Sequence, residues 1–365
     1  MPRVIGIDPG TVTIDLCGIE DGHVFLDQAL PTGRAPIDST ALVELVEAAH
    51  RDAPVDLIAG PSGYGLPLTG GRDLTEDDIR LACLAAPGET GGIGGLAALM
   101  RALARSSIPS VFTPGVIHLP TVPVHRKVNR VDMGTADKVC AVLLAIAREC
   151  DRLACDARDV SFVLLELGGA FTAAVAVERG CIVDGMGGSS GPIGARAVGA
   201  LDAEVAMLAG TVSKARLFGG GAAAIAGMAD APAEALAAAD TPSGRLAWHA
   251  YIESAVKAVA SLMVAAPLAR RVVLSGRLAR AAGVRDELGE RLRFVAADCS
   301  VGLLSGFAEV ASQAAQGAAL LADGLSGGRS APLVEALRLG EASGTALDHL
   351  FVVEPAEARA RLGIV

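Results

Sequence analysis

Apolar residues recur along this chain in two rhythms. Val4 to Ile7 form a short apolar run that ends at Asp8 and enters Pro9-Gly10-Thr11. An alternating stretch follows and stops at Asp21-Gly22, a tight-turn pair, so the opening segment predicts a strand, a small-residue loop and a second strand. TALVELVEAAH at 40–50 has helical spacing, and VDLIAG at 55–60 predicts a buried strand running into the loop PSGYGLPLTGGRD. PGETGGIGG at 87–95 opens a helix, LAALMRALARS, and SVFTPG predicts a further strand. From 135 a helix (TADKVCAVLLAIAREC) leads to the run SFVLLELGG. Later come the helix LAWHAYIESAVKAVASLM, the strand RRVVLSG at 270–276 and the helix EVASQAAQGAALLADGL; the stretch from 326 is ambiguous. Strands alternating with helices predict an α/β protein.

One segment repeats the opening design. SFVLLELGGAFTAAVAVERG, after Val160, again has an apolar strand ending in an acid, a small-residue loop, a second strand and a turn glycine. Asp8 to Gly22 and Glu166 to Gly180 both span 14 positions, about 158 residues apart. Two hairpins of matched length predict a duplicated domain.

Composition narrows what such a protein handles. The 365 residues, 52% hydrophobic, are long enough for two domains. Aromatics are only 3%, so the core is aliphatic and base-stacking platforms are poorly supplied. A formal net charge of −10 argues against nucleic acid or an anionic membrane as the main partner, so any bound anion needs a local site. The 7 cysteines contain no CxxC pair, which predicts reduced, buried thiols. No leader-like segment precedes the first strand and no apolar run reaches the roughly 18–20 residues that spanning needs, so a cytoplasmic location is expected.

The chemistry concentrates at the two strand ends. Glycine and threonine loops can wrap phosphates because bare backbone N–H groups approach closely. An acid at the strand end can hold magnesium through water, since that ion keeps most of its hydration shell. Asp8 fits this role; a turn aspartate before Pro-Gly is the plainer alternative. The histidines have no metal-ligand spacing with each other or with cysteine, and Ser62 in GPSGYG lacks the spacing of a nucleophile elbow.

Taken in order, these segments resemble the acetate and sugar kinase, Hsp70 and actin superfamily over roughly residues 3–325. The resemblance implies two duplicated ribonuclease-H-like domains with ATP in an interdomain cleft: residues 1–130, residues 131–325, and a tail, 326–365, that packs back on the first domain. GIDPGT at 6–11 is similar to the first phosphate segment, ELGGAFT at 166–172 to the second, VVLSGRLA at 272–279 to the adenosine segment, and the helix around Gly317 to the second connecting helix. The implied contacts are Gly10, Thr11, Gly168, Gly169, Thr172, Gly276 and Gly317 for nucleotide, and Asp8 and Glu166 for magnesium. Within that superfamily, the run 166–202 resembles the butyrate and acetate kinases, as do GPSGYGLPLTGGRDLTEDDI at 60–79, likened to their substrate-facing loop, and GETGGIGGLAALM at 88–100.

The departures bear on activity. Where these kinases usually carry an arginine that grips the transferred phosphoryl group, this chain has Pro61, and where they place an aspartate it has Thr113. Their histidine before the second glycine loop corresponds to Glu166. An arginine stabilising phosphoryl-transfer charge is worth ~10³–10⁵ in rate. Candidate replacements are Arg126, Lys127 and Arg130 in HRKVNR, followed by Asp132 and Asp137, together with Arg216 in GTVSKAR and Arg196 as a weaker one. The plainer reading of HRKVNR is a solvated loop, with Asp137 an exposed helix acid. The expected function is an ATP- and magnesium-dependent phosphotransferase with a small-molecule acceptor, a carboxylate by resemblance, and a homodimer by analogy of fold. A nucleotide-binding regulator or assembly protein without kinase activity is the alternative that Pro61 and Thr113 favour. An IGIDPG start also resembles Holliday-junction resolvases, which need clustered acids and a cationic surface.

Overall fold

The computed structural model describes residues 1–31, 39–86 and 95–364. Most of the glycine-rich stretch at 87–95, read above as a helix opening and as part of the kinase-like segment 88–100, lies outside the described residues. The chain forms two compact units that are not divided at single points along it. The first comprises Met1–Val131, Thr135–Arg158 and Ser305–Val365; the second comprises Asp132–Gly134 and Asp159–Leu304.

The first unit is built on a sheet of β1 (Arg3–Pro9), β2 (Thr13–Glu20), β3 (His23–Pro31), β4 (Leu57–Gly60), β5 (Thr69–Gly70) and β6 (Ser110–Phe112), in the order β3-β2-β1-β4-β6-β5. The second carries β7 (Phe162–Leu167), β8 (Thr172–Glu178), β9 (Cys181–Met186), β10 (Arg271–Ser275) and β11 (Ser300–Leu303), in the order β11-β10-β7-β8-β9. Three antiparallel strands followed by two parallel ones make the same topology in each.

The repeat extends to backbone detail. Gly10 N–H donates to the Thr13 carbonyl at 2.8 Å, and Gly168 N–H donates to the Phe171 carbonyl at 2.9 Å, the same offsets from Asp8 and Glu166. A register shift falls at Gly18/Ile19 in one unit and at Ala176/Val177 in the other, again at equal offsets. Both second turns use two consecutive residues with positive φ, Asp21-Gly22 and Arg179-Gly180, the geometry that matches strand twist in a two-residue hairpin.

Helices cover these sheets with the faces that periodicity predicts. Helix Leu96–Arg105 buries Leu96, Leu99, Met100 and Leu103, spaced one helical turn apart. The core is aliphatic apart from a few rings, chiefly Phe112 in one unit and Phe162 and Tyr251 in the other. In the first unit, helix Gln313–Leu325 lies against β1, where a Cβ on Gly6 would stand under 3.0 Å from the backbone of Ala315 and Ala319. The same helix crosses Ala136–Leu153 at Gly317, which faces the Cys140 carbonyl. The C-terminal stretch is tied to this unit by Arg80 Nη1 on the Gly363 carbonyl at 2.6 Å and by Asn129, whose Oδ1 accepts from the Phe351 and Val352 amides. No helix among the described residues is long and apolar enough to cross a membrane.

Candidate functional site

In the first unit, β1, the start of helix Ala136–Leu153 and the start of helix Gln313–Leu325 converge on Asp8. β1 delivers Asp8 opposite Asp15, whose Oδ2 accepts from Thr13 Oγ1 at 2.8 Å. Ser312 caps its helix by accepting from the Ala315 amide at 3.1 Å, and its hydroxyl donates to Asp8 Oδ2 at 2.7 Å. From the first turn of the other helix comes Asp137, whose carboxylate accepts from the Thr135 hydroxyl and from Lys138 Nζ, 2.5 Å away. On the plainer reading of the sequence Asp137 is an exposed helix acid; here it is half-buried, with 28% of its side chain exposed, and its neighbour Lys138 keeps only 9%.

These acids divide sharply in their proton affinity. Burial, then the Asp137 charge, pushes the Asp8 carboxyl up to about 8, against the pull of the Ser312 hydrogen bond. Burial also works to raise Asp137, but the Lys138 ammonium and the Lys138 and Thr135 hydrogen bonds outweigh it and hold Asp137 below the ordinary carboxylate value. Two carboxyl groups at one junction suit a cation that arrives with its own hydration and displaces the Asp8 proton. Among the described residues no group of three or more His, Cys, Asp or Glu side chains could hold a metal by itself. Magnesium bound through one or two carboxylates, with waters and phosphate oxygens completing its shell, needs no such group, so Asp8 and Asp137 fit it.

Another acid, Asp27, fixes the geometry from behind. Asp27 of β3 accepts from three consecutive backbone amides, Glu309 at 2.8 Å, Val310 at 3.0 Å and Ala311 at 2.7 Å. Although its partial burial opposes this, those amides hold the Asp27 carboxyl below its usual value. The next residue is Ser312, so Asp27 sets where the Asp8 partner stands. Asp27→Ala is expected to cost about 1–2 kcal/mol in urea unfolding, the worth of charge-assisted bonds at a half-exposed site. Asp27→Asn, which keeps an acceptor, is expected to lose less.

The residues singled out in the second unit have other surroundings. Glu166 is the penultimate residue of β7, and its Oε2 accepts from Ser275 Oγ at 3.4 Å. Gly168 and Gly169 lie in the adjoining loop, but Thr172 is fully buried, with its hydroxyl on Tyr251 Oη at 3.2 Å. Gly276 has φ +87°, and a Cβ there would meet the Leu167 backbone, so only glycine suits the turn after β10. In the first unit, Gly10 closes the β1–β2 loop and Thr11 at its tip is exposed. Gly317 sits at the helix crossing described above.

The cations of HRKVNR differ in their surroundings. Lys127 is buried and donates to the Leu119 carbonyl at 3.0 Å, and burial lowers its pKa; Arg126 and Arg130 are half-buried on either side. Arg216 is exposed and braces its own loop through the carbonyls of Ala209, at 2.8 Å, and Thr211, at 3.4 Å. Pro61 is buried, and its neighbour Ser62 donates to the Thr113 carbonyl. Thr113 is itself buried, 3.8 Å from Cys140 Sγ. Gly65 and Gly115 pack backbone to backbone behind them. Sequence reasoning missed Lys138 and Ser312. Their signal was present: a small hydroxyl residue, Thr135 or Ser312, stands just before each apolar helix.

Among solved structures, the chain is similar to a propionate kinase from Francisella tularensis subsp. tularensis SCHU S4 (14% identity, 87% of this chain and 99% of that one covered, TM-score 0.63). It is also similar to acetate kinases from Porphyromonas gingivalis (15%, 86% and 94%, TM-score 0.57) and Entamoeba histolytica (10%, 80% and 87%, TM-score 0.57). At these identities the likeness is one of fold: a mixed α/β kinase-type architecture with two sheets. No curated protein matches the chain in sequence. A family model matches residues 6–352, and the chain belongs to that family, described as "Protein of unknown function (DUF1464)".

Proposed function

We propose that this protein is an ATP- and magnesium-dependent phosphotransferase acting on a small-molecule acceptor, with carboxylates as the acceptor class. The observation that carries this reading is the junction of Asp8, Asp137 and Lys138 at the starts of two helices, Ala136–Leu153 and Gln313–Leu325. Helix starts offer unpaired amide donors and partial positive charge, which favour phosphate oxygens. Magnesium, when bound, neutralises phosphate charge and orients the phosphoryl group. Asp8 and Asp137 hold its waters, and Ser312 keeps Asp8 aimed by donating to one carboxylate oxygen. Lys138 supplies the fixed positive charge for which Arg216, by resemblance, and the basic run at 125–130 were the sequence candidates. In each unit the loop beside the strand-end acid is closed by its own glycine, Gly10 on the Thr13 carbonyl and Gly168 on the Phe171 carbonyl. The shared strand order, loop closure and bulge support descent of both sheets from one duplicated ribonuclease-H-like unit.

A second reading keeps the nucleotide and drops the transfer. The burial of Pro61 where an arginine is expected, and the packing of Gly65 on Gly115, favour a regulator of the same fold. One experiment separates the two. Melting temperature is followed against ATP with magnesium, then turnover is measured on a panel of carboxylates, sugars and polyols. Phosphotransfer predicts a concentration-dependent rise, worth about 2.7 kcal/mol at a hundredfold excess over Kd, and an acceptor-dependent turnover. Lys138→Met is then expected to cut turnover by about 10²–10³-fold, the worth of one preorganised charge at a developing anion. Binding without turnover selects the regulator, and no binding at all sinks both.

A further inference from the structure

We propose that Cys150 and Cys155 are a thiol-modification site that closes into a reversible intramolecular disulfide, with a small-molecule disulfide as the oxidant. Helix Ala136–Leu153 ends in a left-handed cap, Ala154 at φ +52°, and the Cys155 amide donates back to the Cys150 carbonyl at 3.2 Å. A six-to-one bond of this kind folds the chain over the last helical turn. It brings the second residue beyond the helix against a residue of that turn, where natural helices commonly put an apolar contact. Here both positions, 150 and 155, are cysteine. A disulfide spans Cα separations of about 4.4–6.8 Å, and the backbone bond between these two residues keeps them at close range.

The rest of the cysteine set isolates this pair. Cys17, Cys83, Cys140 and Cys299 are buried, and Cys181, half-buried, belongs to the other unit. Cys150 and Cys155 are both half-buried, so a small oxidant can reach them. Sequence analysis had expected buried thiols throughout; the helix cap is what lifts these two to the surface. Burial, Cys155 and the carboxylates of Asp151 and Asp156 push the Cys150 thiol up to about 11, which suits it to the resolving step and not to the opening attack.

The exchange balances in two steps. The Cys155 thiolate attacks one sulfur of the small disulfide, forming a mixed disulfide and releasing one small thiol. The Cys150 thiol, losing its proton, then attacks Cys155 Sγ, and the second small thiol leaves. Two protein thiols are oxidised and one external disulfide is reduced to two thiols. The acids around Cys150 disfavour a lingering adduct with an anionic thiol, which favours closure.

The full-length protein is incubated with oxidised glutathione, alkylated with N-ethylmaleimide under denaturing conditions, and digested with trypsin. Cleavage after Arg152 separates the two cysteines, so the bridge appears as a cross-linked pair of peptides, 149–152 with 153–158. The expected result is loss of two labels, recovery with dithiothreitol, and the same outcome in Cys181→Ser. Cys150→Ser is expected to leave a glutathione adduct on Cys155. Full labelling of both cysteines, a stable adduct in the parent protein, or a bridge to any other cysteine overturns the proposal. None of these readouts depends on nucleotide or turnover.

Discussion

Asp8→Asn is expected to raise the melting temperature of the ligand-free protein at pH 8 while removing its stabilisation by ATP with magnesium and lowering turnover by about 10²-fold or more. The two effects share one cause. Folding buries the Asp8 carboxyl beside Asp137 and raises its proton affinity to about 8 from an ordinary value of 3.8. Between those values the folded protein holds a proton that the unfolded chain has released. Stability from this group therefore falls as pH rises through that window, and the full cost is reached above about pH 8. Asparagine keeps an acceptor for Ser312 and carries no charge, so the variant is expected to gain on the order of 2–4 kcal/mol at pH 8 and almost nothing at pH 4. Asp137 behaves in the opposite sense: its lowered pKa contributes stability above the usual carboxylate value that is lost as pH falls below it. The two windows do not overlap, so thermal melts from pH 3 to 9 resolve them. A variant no more stable than the parent at pH 8 would mean that the Asp8 carboxylate is already relieved, and the magnesium assignment would lose its basis.

How legible this site was depends on what kind of contact makes it. The hairpins could be read because a strand end, a small loop and a turn glycine are local, and their equal 14-position span was visible twice. The matched bulges and loop-closing hydrogen bonds were not, since no residue type marks a register shift. Asp137 could be read two ways for a physical reason: an acid in the first turn of a helix is what the helix dipole favours on an open surface too. Only the packing of helix Ala136–Leu153 against Gln313–Leu325 makes that acid a half-buried neighbour of Asp8, and this contact links residues about 180 positions apart. HRKVNR looked functional as a basic run, yet Lys127 is taken up by the Leu119 carbonyl, which no spacing rule foresees. Pro61 and Thr113 were recognised as departures, and both prove to be buried among backbone of their own unit.

Gly317→Val is expected to destabilise the protein by about 3–5 kcal/mol or to prevent folding, although resemblance had assigned this glycine to nucleotide. A Cβ at 317 would stand under 3.0 Å from the carbonyl, carbonyl carbon and oxygen alike, of Cys140, and backbone cannot rotate away as a side chain can. The two helices would have to part, and they are the elements that carry Ser312 and Asp137 to Asp8. Gly6 on β1 imposes the same limit on the other face of helix Gln313–Leu325. The cost is therefore tied to close approach and not to glycine in general. Gly289, within helix Val284–Arg293, has its nearest neighbour at 3.9 Å, and Gly289→Ala is expected to stabilise by about 0.5–1 kcal/mol through reduced backbone freedom in the unfolded chain. Urea denaturation of both variants decides the matter. If Gly317→Val unfolds at the parental midpoint and loses only nucleotide binding, the crossing has slack and the glycine serves the ligand; if the midpoint collapses, convergence of three elements on Asp8 is what the residue is there to permit.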